Sequence, residues 1–194
     1  MKTIIDLSLS IFAIALLSPI LISIGLIILF SIGRPIIFVQ TRPGYDKRPF
    51  KFYKFRTMTN FVNDSGDLLP DEARLTKLGS FLRKTSLDEL PSLWNVVKGD
   101  MSLVGPRPLL MDYIPHYSEQ QIRRHEVKPG ITGWAQINGR NLITWEQKFK
   151  LDIWYVDNQS LWLDIRIIIL TVWKVITGEG VNPKGRSIMK RFDD

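Results

Sequence analysis

The sequence predicts an α+β protein held at a membrane by one N-terminal helix, and three observations predict it. An uncharged, strongly apolar run of 26 residues, Leu7 to Ile32, stands near the start of the chain. Beyond it, apolar residues recur alternately with a period of two and with helical spacing, which mixes short strands with helices. Finally, Ser86-x-x-Glu89, Ser118-x-x-Gln121 and Thr144-x-x-Gln147 have the spacing of helix capping boxes. The organisation this implies is a membrane segment over 1–33 and a folded domain over 34–194.

As a helix, the apolar run is about 39 Å long, against a hydrocarbon core about 30 Å thick. Ser18-Pro19 interrupts it near the middle. Pro19 removes one backbone hydrogen bond and crowds the carbonyl of Ala15, so a kink is expected. Ser18 is placed to bond back to a carbonyl one turn earlier. Two geometries follow. A bent helix crosses the bilayer, which pattern alone favours, or a re-entrant helix dips in and returns to the same face. Each arm alone is about 16–21 Å long, too short to cross. A cleaved signal peptide fits poorly, because the run continues well past Ala13-Ile14-Ala15. Only Lys2 and the amino terminus carry positive charge ahead of the run, whereas Arg34, Arg42, Lys47, Arg48, Lys51, Lys54 and Arg56 follow it. The positive-inside rule places the domain in the cytoplasm under either geometry.

The 194 residues suffice for a sizeable core. With no cysteine there are no disulfides, thiolate metal sites or cysteine nucleophiles. The two histidines, His116 and His125, have no second ligand at a zinc-site spacing. A net charge of +7 implies an anionic partner: a membrane surface, a phosphorylated substrate or nucleic acid.

Ile36 to Val39 reads as a strand, Arg42-Pro43-Gly44 as a turn, and Phe50 to Met58 as a second strand with Lys54 and Arg56 on one face. That face suits phosphates or plain solvent equally. Asn60 to Asp71 is a loop, and Glu72 to Lys84 reads as one helix whose Arg83 complements its dipole. Ser102-Leu103-Val104 leads into Gly105-Pro106-Arg107-Pro108. There Pro106 and Pro108 fix φ on either side of Arg107, which suits directed phosphate contact or a rigid connector. Ser118 opens a short basic helix with Arg123, Arg124 and His125, closed by Pro129-Gly130. Ile131 to Asn141 is a glycine-punctuated loop in which the amides, Trp134 and Arg140 of Gly133 to Arg140 suit a nucleotide base and ribose, or loop hydrogen bonds alone. Thr144 opens a helix to about Asp157. Ser160 caps Leu161 to Thr177, ended by Gly178 and Gly180. This last helix is apolar but carries Asp164, Arg166 and Lys174, so it suits the core or the membrane interface rather than a span. From Val181 the tail is polar and basic.

The chemistry centres on Ser86-Leu87-Asp88-Glu89-Leu90-Pro91. An acidic pair at a helix start commonly serves only as cap and dipole complement. With Arg83 upstream and Arg107 downstream, the same pair also suits a divalent metal and a phosphoryl group together. Pro91 is free of cost only in the first helical turn, so it fits better if Asp88 rather than Ser86 is the cap.

With these residues in view, the chain resembles the bacterial sugar transferases, the short monotopic phosphoglycosyl transferases. The resemblance rests on Lys2 and Asp6, Ser18-Pro19, Lys54-Phe55-Arg56-Thr57-Met58, Ser86 to Pro91, Lys98-Gly99-Asp100-Met101-Ser102, Gly105 to Pro108, and Pro129-Gly130-Ile131-Thr132-Gly133 through Asn138-Gly139-Arg140. Long motifs in one order over nearly the whole chain are a specific signal. The resemblance implies a re-entrant helix broken at Ser18-Pro19 and a small cytoplasmic catalytic domain with interfacial amphipathic helices. It also implies residence at the bacterial inner membrane and a requirement for Mg²⁺. The substrates implied are a UDP-sugar and polyprenyl (undecaprenyl) phosphate, with UMP and a polyprenyl diphosphosugar as products and downstream glycosyltransferases to follow. Within the family, the likeness is to transferases of diacetylated bacillosamine phosphate.

By the same resemblance, Asp88 is the nucleophile and a metal contact, forming an aspartyl-phosphosugar in a ping-pong reaction. Glu89 organises the site and the metal. Arg83 and Lys54, with Asp164, support the acidic pair. Arg107 between Pro106 and Pro108 meets the nucleotide phosphates, Arg56 and Arg140 are further substrate contacts, and Lys2 steadies the lipid end. The rival readings are the same chemistry with a hexose phosphate for polysaccharide export, a non-catalytic membrane scaffold, and a basic nucleic-acid-binding protein. The apolar first segment and the lack of a nucleic-acid-binding motif disfavour the last.

Overall fold

The computed structural model describes residues 1–139, 143–177 and 192. In chain order the elements are α1 (Lys2–Ser31), β1 (Ile37–Pro43), β2 (Pro49–Phe55), α2 (Asp71–Arg74), α3 (Lys77–Lys84), α4 (Leu93–Val97), β3 (Ser102–Val104), α5 (Glu119–Ile122), β4 (Gly130–Thr132), α6 (Trp134–Ile137), α7 (Trp145–Asn158) and α8 (Leu161–Thr177). Short 3₁₀ turns join several of them, notably Leu87–Ser92.

α1 is the one helix among the described residues long and apolar enough to cross a membrane. The helix runs through Pro19 without a gap. Pro19 cannot bond the Ala15 carbonyl, and the Ser18 hydroxyl donates to that carbonyl instead at 2.8 Å. The expected break is therefore one missing amide inside a continuous helix. Most of α1 is bare apolar surface, with Phe12, Leu16, Ile22 and Phe30 exposed. Both ends nevertheless touch the domain. Asp6 near the start accepts from Ser102 Oγ at 2.7 Å. Ile24 and Ile28 near the end pack with Phe55 and Leu82 in a buried cluster.

β1 and β2 form the expected antiparallel hairpin, with Phe38 opposite Lys54. Its bend holds Asp46 and Lys47 at φ 51° and 61°. The free edge of β2 is closed by a side chain: the Asn95 carboxamide accepts from Tyr53 N–H at 3.1 Å and donates to Lys51 O at 2.6 Å. One buried amide thus substitutes for a neighbouring strand and fixes α4 against the hairpin.

The helix expected over Glu72–Lys84 is two helices. Leu75 leaves the spiral to bridge Met58, and Thr76 caps α3 by accepting from Gly79 N–H at 2.9 Å. A Cβ on Gly79 would lie 1.9 Å from the Thr57 carbonyl oxygen, so only glycine lets α3 approach this closely. β4 was not expected. It pairs in parallel with β3, Ser102 opposite Gly130 and Val104 opposite Thr132. The capping boxes at Ser118 and Thr144 both form, and Ser160 Oγ accepts from Leu163 N–H at 3.2 Å.

α8 divides its faces. Leu163 and Ile167 join Val104, Ile137 and Tyr155 in the core, whereas Trp162, Ile169, Trp173 and Ile176 are exposed. The expected core packing is thus present on one face, and the other face carries exposed apolar and aromatic side chains. A second cluster gathers Leu109, Tyr113 and Phe149, on which Phe192 packs with its ring 5.0 Å from that of Phe149. The expected helix stop at Gly178 and Gly180, the tail from Val181 to Arg191 and the loop residue Arg140 lie outside the described residues.

Asn95→Ala strands one amide and one carbonyl of β2 in a buried setting. It is expected to lower stability by about 2–4 kcal/mol, which denaturant unfolding in detergent measures; a loss below about 0.5 kcal/mol would contradict the role of this amide.

Candidate active site

Four short pieces of chain meet at the acidic pair: the end of β2, the end of α3, the 3₁₀ turn Leu87–Ser92 and the loop Gly105–Pro108. Ser86 enters the turn in the left-handed region, at φ 59°. It makes no capping bond there, and the Glu89 carboxylate points elsewhere, so the capping box expected at this position does not form. A 3₁₀ turn suits Pro91, whose ring and missing N–H disfavour an α-helix starting at Ser86. Ser92 Oγ closes the turn on Glu89 O at 2.6 Å.

The two carboxylates differ in what they touch. Glu89 is held by Arg107 in a two-pronged ion pair, with Nη1 donating to Oε2 at 2.8 Å and Nη2 donating to Oε1. Burial opposes ionisation of Glu89. The Arg107 charge and hydrogen bonds, with Lys54 and Arg42 behind them, outweigh it and hold the carboxyl below its ordinary value. Asp88 is only 4% exposed, and its carboxyl has no hydrogen-bond partner among the described residues. Burial first, and the Glu89 charge second, push Asp88 up to about 6. Lys54, Arg107 and Arg83 pull the other way without prevailing. Lys54 sits over the Phe38 ring, 5.3 Å from its centre, and burial lowers its pKa, with the Arg83 charge adding to the effect. Arg83 is aimed by its Nε donating to Thr57 Oγ1 at 3.0 Å.

The loop carrying Arg107 is held entirely from outside. Gly105 N–H donates to Thr132 O at 2.9 Å and Gly130 N–H donates to Pro106 O at 3.0 Å. Added Cβ atoms on Gly130 and Gly133 would lie 2.0 and 2.2 Å from Gly105 backbone atoms. The glycines of Pro129–Gly133 thus serve backbone contact with this loop. Arg124 Nη2 donates to Arg107 O at 2.7 Å, and Arg42 Nη1 donates to Pro108 O at 3.4 Å. Burial, then the Arg107 charge, lowers Arg42 to about 10. Neither Arg42 nor Arg124 was singled out from the sequence as a site residue, and their only signal was proximity to turns. A small cleft beside this loop is lined by Pro43, Gly44, Pro106–Pro108, Arg124, His125, Val127 and Pro129. Burial brings His125 down to about 4, so its imidazole is neutral.

Asp88, Glu89, Lys54, Arg83, Arg107, Pro106 and Pro108 are therefore together. Three other expected residues make contacts elsewhere. Arg56 lies just beyond the end of β2; its guanidinium is buried and donates to Met58 O at 2.9 Å and Arg34 O at 2.7 Å, tying chain to chain. Asp164 touches neither acid of the pair: it accepts from Lys2 Nζ at 2.5 Å and from Tyr155 OH at 2.7 Å. Lys2 also donates to Val104 O at 3.2 Å, which anchors the start of α1.

For a divalent metal, no group of three or more His, Asp or Glu stands together among the described residues. Mg²⁺ commonly takes only one or two carboxylates and completes its shell with water and substrate phosphates. The unpartnered Asp88 carboxyl fits that requirement. Glu89 fits less well as a direct ligand, because Arg107 already donates to each of its oxygens.

The site thus combines a buried free carboxylate, three cations and a charge-clamped neighbour, a setting for group transfer from an anionic donor. Comparison with known sequences agrees: a family model for bacterial sugar transferases matches residues 1–178, and the chain belongs to that family. It is 56% identical over 192 residues to the uncharacterized sugar transferase EpsL of Bacillus subtilis, covering 99% of this chain and 95% of that protein. It is 44% identical over 179 residues to the UDP-glucose:undecaprenyl-phosphate glucose-1-phosphate transferase of Escherichia coli, covering 87% of this chain and 39% of that protein. It is 36% identical over 183 residues to the UDP-N-acetylgalactosamine-undecaprenyl-phosphate N-acetylgalactosaminephosphotransferase of Aeromonas hydrophila, covering 90% of this chain and 43% of that protein. The chain therefore spans about two-fifths of the length of those two transferases.

Since Asp88 titrates near 6 when folded, against 3.8 ordinarily, its ionised form opposes folding above pH 6 and has no effect below about 4. Asp88→Asn is thus expected to stabilise the metal-free protein at pH 7.5 by up to about 3 kcal/mol. The gain should fade as pH falls through 6 toward 4. Thermal unfolding across pH, in chelator, reads this; a gain that ignores pH, or none at pH 7.5, contradicts it.

Proposed function

We propose that this protein transfers a phosphosugar from a UDP-sugar to a polyprenyl phosphate through a covalent intermediate on Asp88. The observation that carries the reading is the Asp88 carboxyl itself: buried, without a hydrogen-bond partner among the described residues, and within the field of Lys54, Arg83 and Arg107. An Asp Oδ attacks the sugar-bearing phosphorus, the bond from that phosphorus to the bridging oxygen breaks, and UMP leaves with that oxygen. An oxygen of the lipid phosphate then attacks the same phosphorus, the bond from that phosphorus to Asp88 Oδ breaks, and the carboxylate returns. Carboxylate and diphosphate repel one another, so the cations are the condition for the first attack. Lys54 and Arg83 serve Asp88, and Arg107 meets the departing nucleotide phosphate while Glu89 sets its direction.

Mg²⁺, if bound, would be held by Asp88 and the substrate diphosphate, and would neutralise charge on the leaving phosphate. Glu89 acts at one remove, through Arg107. The lipid phosphate has a second pKa of about 6, so little proton remains for a base to take. Covalent splitting lets two bulky substrates use one site in turn, hence ping-pong kinetics. The names of the relatives include donors of glucose and N-acetylgalactosamine phosphates. A hexosyl donor is therefore as well supported as a diacetylbacillosaminyl one.

The same-face, re-entrant reading of α1 is supported by its contacts. Lys2 and Asp6 reach Asp164 and Ser102, while Ile24 and Ile28 pack on Phe55 and Leu82. A crossing helix would set its ends about 30 Å apart on opposite faces of the bilayer. One domain on one face then could not hold both. In this reading, which the basic segment after α1 supports, the site works at the cytoplasmic face and the exposed Trp162 and Trp173 of α8 meet the membrane interface. Glycosyltransferases that extend the lipid-linked sugar would act next.

UMP release over a panel of UDP-sugars with polyprenyl phosphate and Mg²⁺ tests the reaction. Wild type should respond to at least one donor, and Asp88→Asn should lose more than about a thousandfold. The wild-type kcat/KM should fall as pH drops and Asp88 takes up its proton, at a pH below the metal-free value of about 6 because a bound cation favours the carboxylate. Release by Asp88→Asn at the wild-type rate removes Asp88 as nucleophile, and a wild type inert on every donor favours a scaffold.

Because the chain has no cysteine, Thr3→Cys gives a single thiol for topology. An impermeant maleimide should label it in inverted vesicles and not in intact cells, and labelling from outside would rule out the re-entrant geometry.

A further inference from the structure

We propose that Arg124 and Asp152 are positioning residues for the transfer site, clamping the backbone of Arg107 so that its guanidinium meets Glu89 and the nucleotide phosphates. Pro106 and Pro108 leave the loop almost without donors of its own, so its three successive carbonyls depend on outside donors. Those donors are Gly130 N–H, Arg124 Nη2 and Arg42 Nη1. Of the three, Arg124 alone grips the residue that carries the working side chain.

Its own position is over-determined. Nε and Nη2 both donate to Asp152 Oδ2, at 3.2 and 2.8 Å, and Nη2 also reaches Arg107 O at 2.7 Å. The guanidinium lies against the Tyr117 and Phe149 rings, with centroid distances of 5.9 and 5.7 Å. Both partners of the pair have side chains only 2% exposed. A buried ion pair is commonly no more stabilising than apolar residues of the same volume. What this pair supplies is direction, a planar charge that meets a carboxylate and a carbonyl at once. Arg107, by contrast, keeps 43% of its side chain exposed. Asp152 on α7 and Arg124 therefore hold a rigid rear mount for a forward-facing cation.

The kinetic part of this inference rests on the reaction proposed above, and the exchange part does not. Arg124→Lys keeps the charge but cannot meet both acceptors in one plane; Asp152→Asn keeps the shape. In each, kcat/KM for the UDP-sugar is expected to fall about ten- to a hundredfold, while kcat/KM for polyprenyl phosphate stays within about twofold. Adding Arg107→Ala to Asp152→Asn should cost no more than Arg107→Ala alone. Amide hydrogen exchange should quicken in 105–109 and 130–132 and nowhere near α1. Equal loss for both substrates, multiplicative losses with Arg107→Ala, or wild-type exchange in 105–109 would each overturn the proposal. If wild type releases no UMP from any donor, the reaction falls, and the exchange result alone decides the clamp.

Discussion

Two adjacent carboxylates share one 3₁₀ turn, Asp88 buried and Glu89 half-buried, and among the described residues only Glu89 has a counter-ion in direct contact. Low dielectric surroundings make that asymmetry decisive. Arg107 neutralises Glu89 and lowers its pKa, so the residual cost of burial falls on Asp88, whose pKa rises. A carboxylate without hydrogen bonds keeps its lone pairs available, and the protein tolerates a group that weakens its own fold. Lys54 and Arg83 act at longer range, lowering the repulsion an incoming anion would meet without capping the oxygen atoms.

The site and the long apolar helix α1 share one structural hub, β3. Ser102 holds Asp6, and Val104 O accepts from both Lys2 Nζ and Tyr155 OH. Lys2 and Tyr155 also converge on Asp164 of α8. Immediately after Val104 the chain becomes the Gly105–Pro108 loop that carries Arg107. The residues that seat α1 are therefore one residue away from those that aim the cation. The proposed reaction, between a soluble nucleotide sugar and a lipid phosphate, would need such a fixed relation between α1 and the reacting atoms.

Much of this was legible in the residues because it is local. The apolar run, the Ser18 hydroxyl on the carbonyl Pro19 leaves free, the β1–β2 hairpin and the caps at Ser118, Thr144 and Ser160 each depend on neighbours within a few positions. Ser86-x-x-Glu89 shows the limit of that logic. The spacing of a capping box is present, yet Arg107, eighteen positions away, competes for the Glu89 carboxylate and wins with a charged, two-pronged contact. The helix expected over Glu72–Lys84 fails at Leu75 for a similar reason, because its backbone pairs with Met58. β4 is too short and glycine-rich to announce itself as a strand.

The amino-acid order by itself determined that one helix is apolar enough for a membrane, that the domain is mixed α and β, and that Asp88 and Glu89 are the acidic pair in a basic setting. Tertiary structure alone decided which acid is clamped and which is free. It also decided that Arg56 and Asp164 brace the fold, and that Arg124 and Asp152 stand behind Arg107. The reason is distance along the chain. Periodicity and caps report contacts a few residues apart, whereas Lys2 with Asp164 or Arg124 with Asp152 become neighbours only when the whole chain has packed.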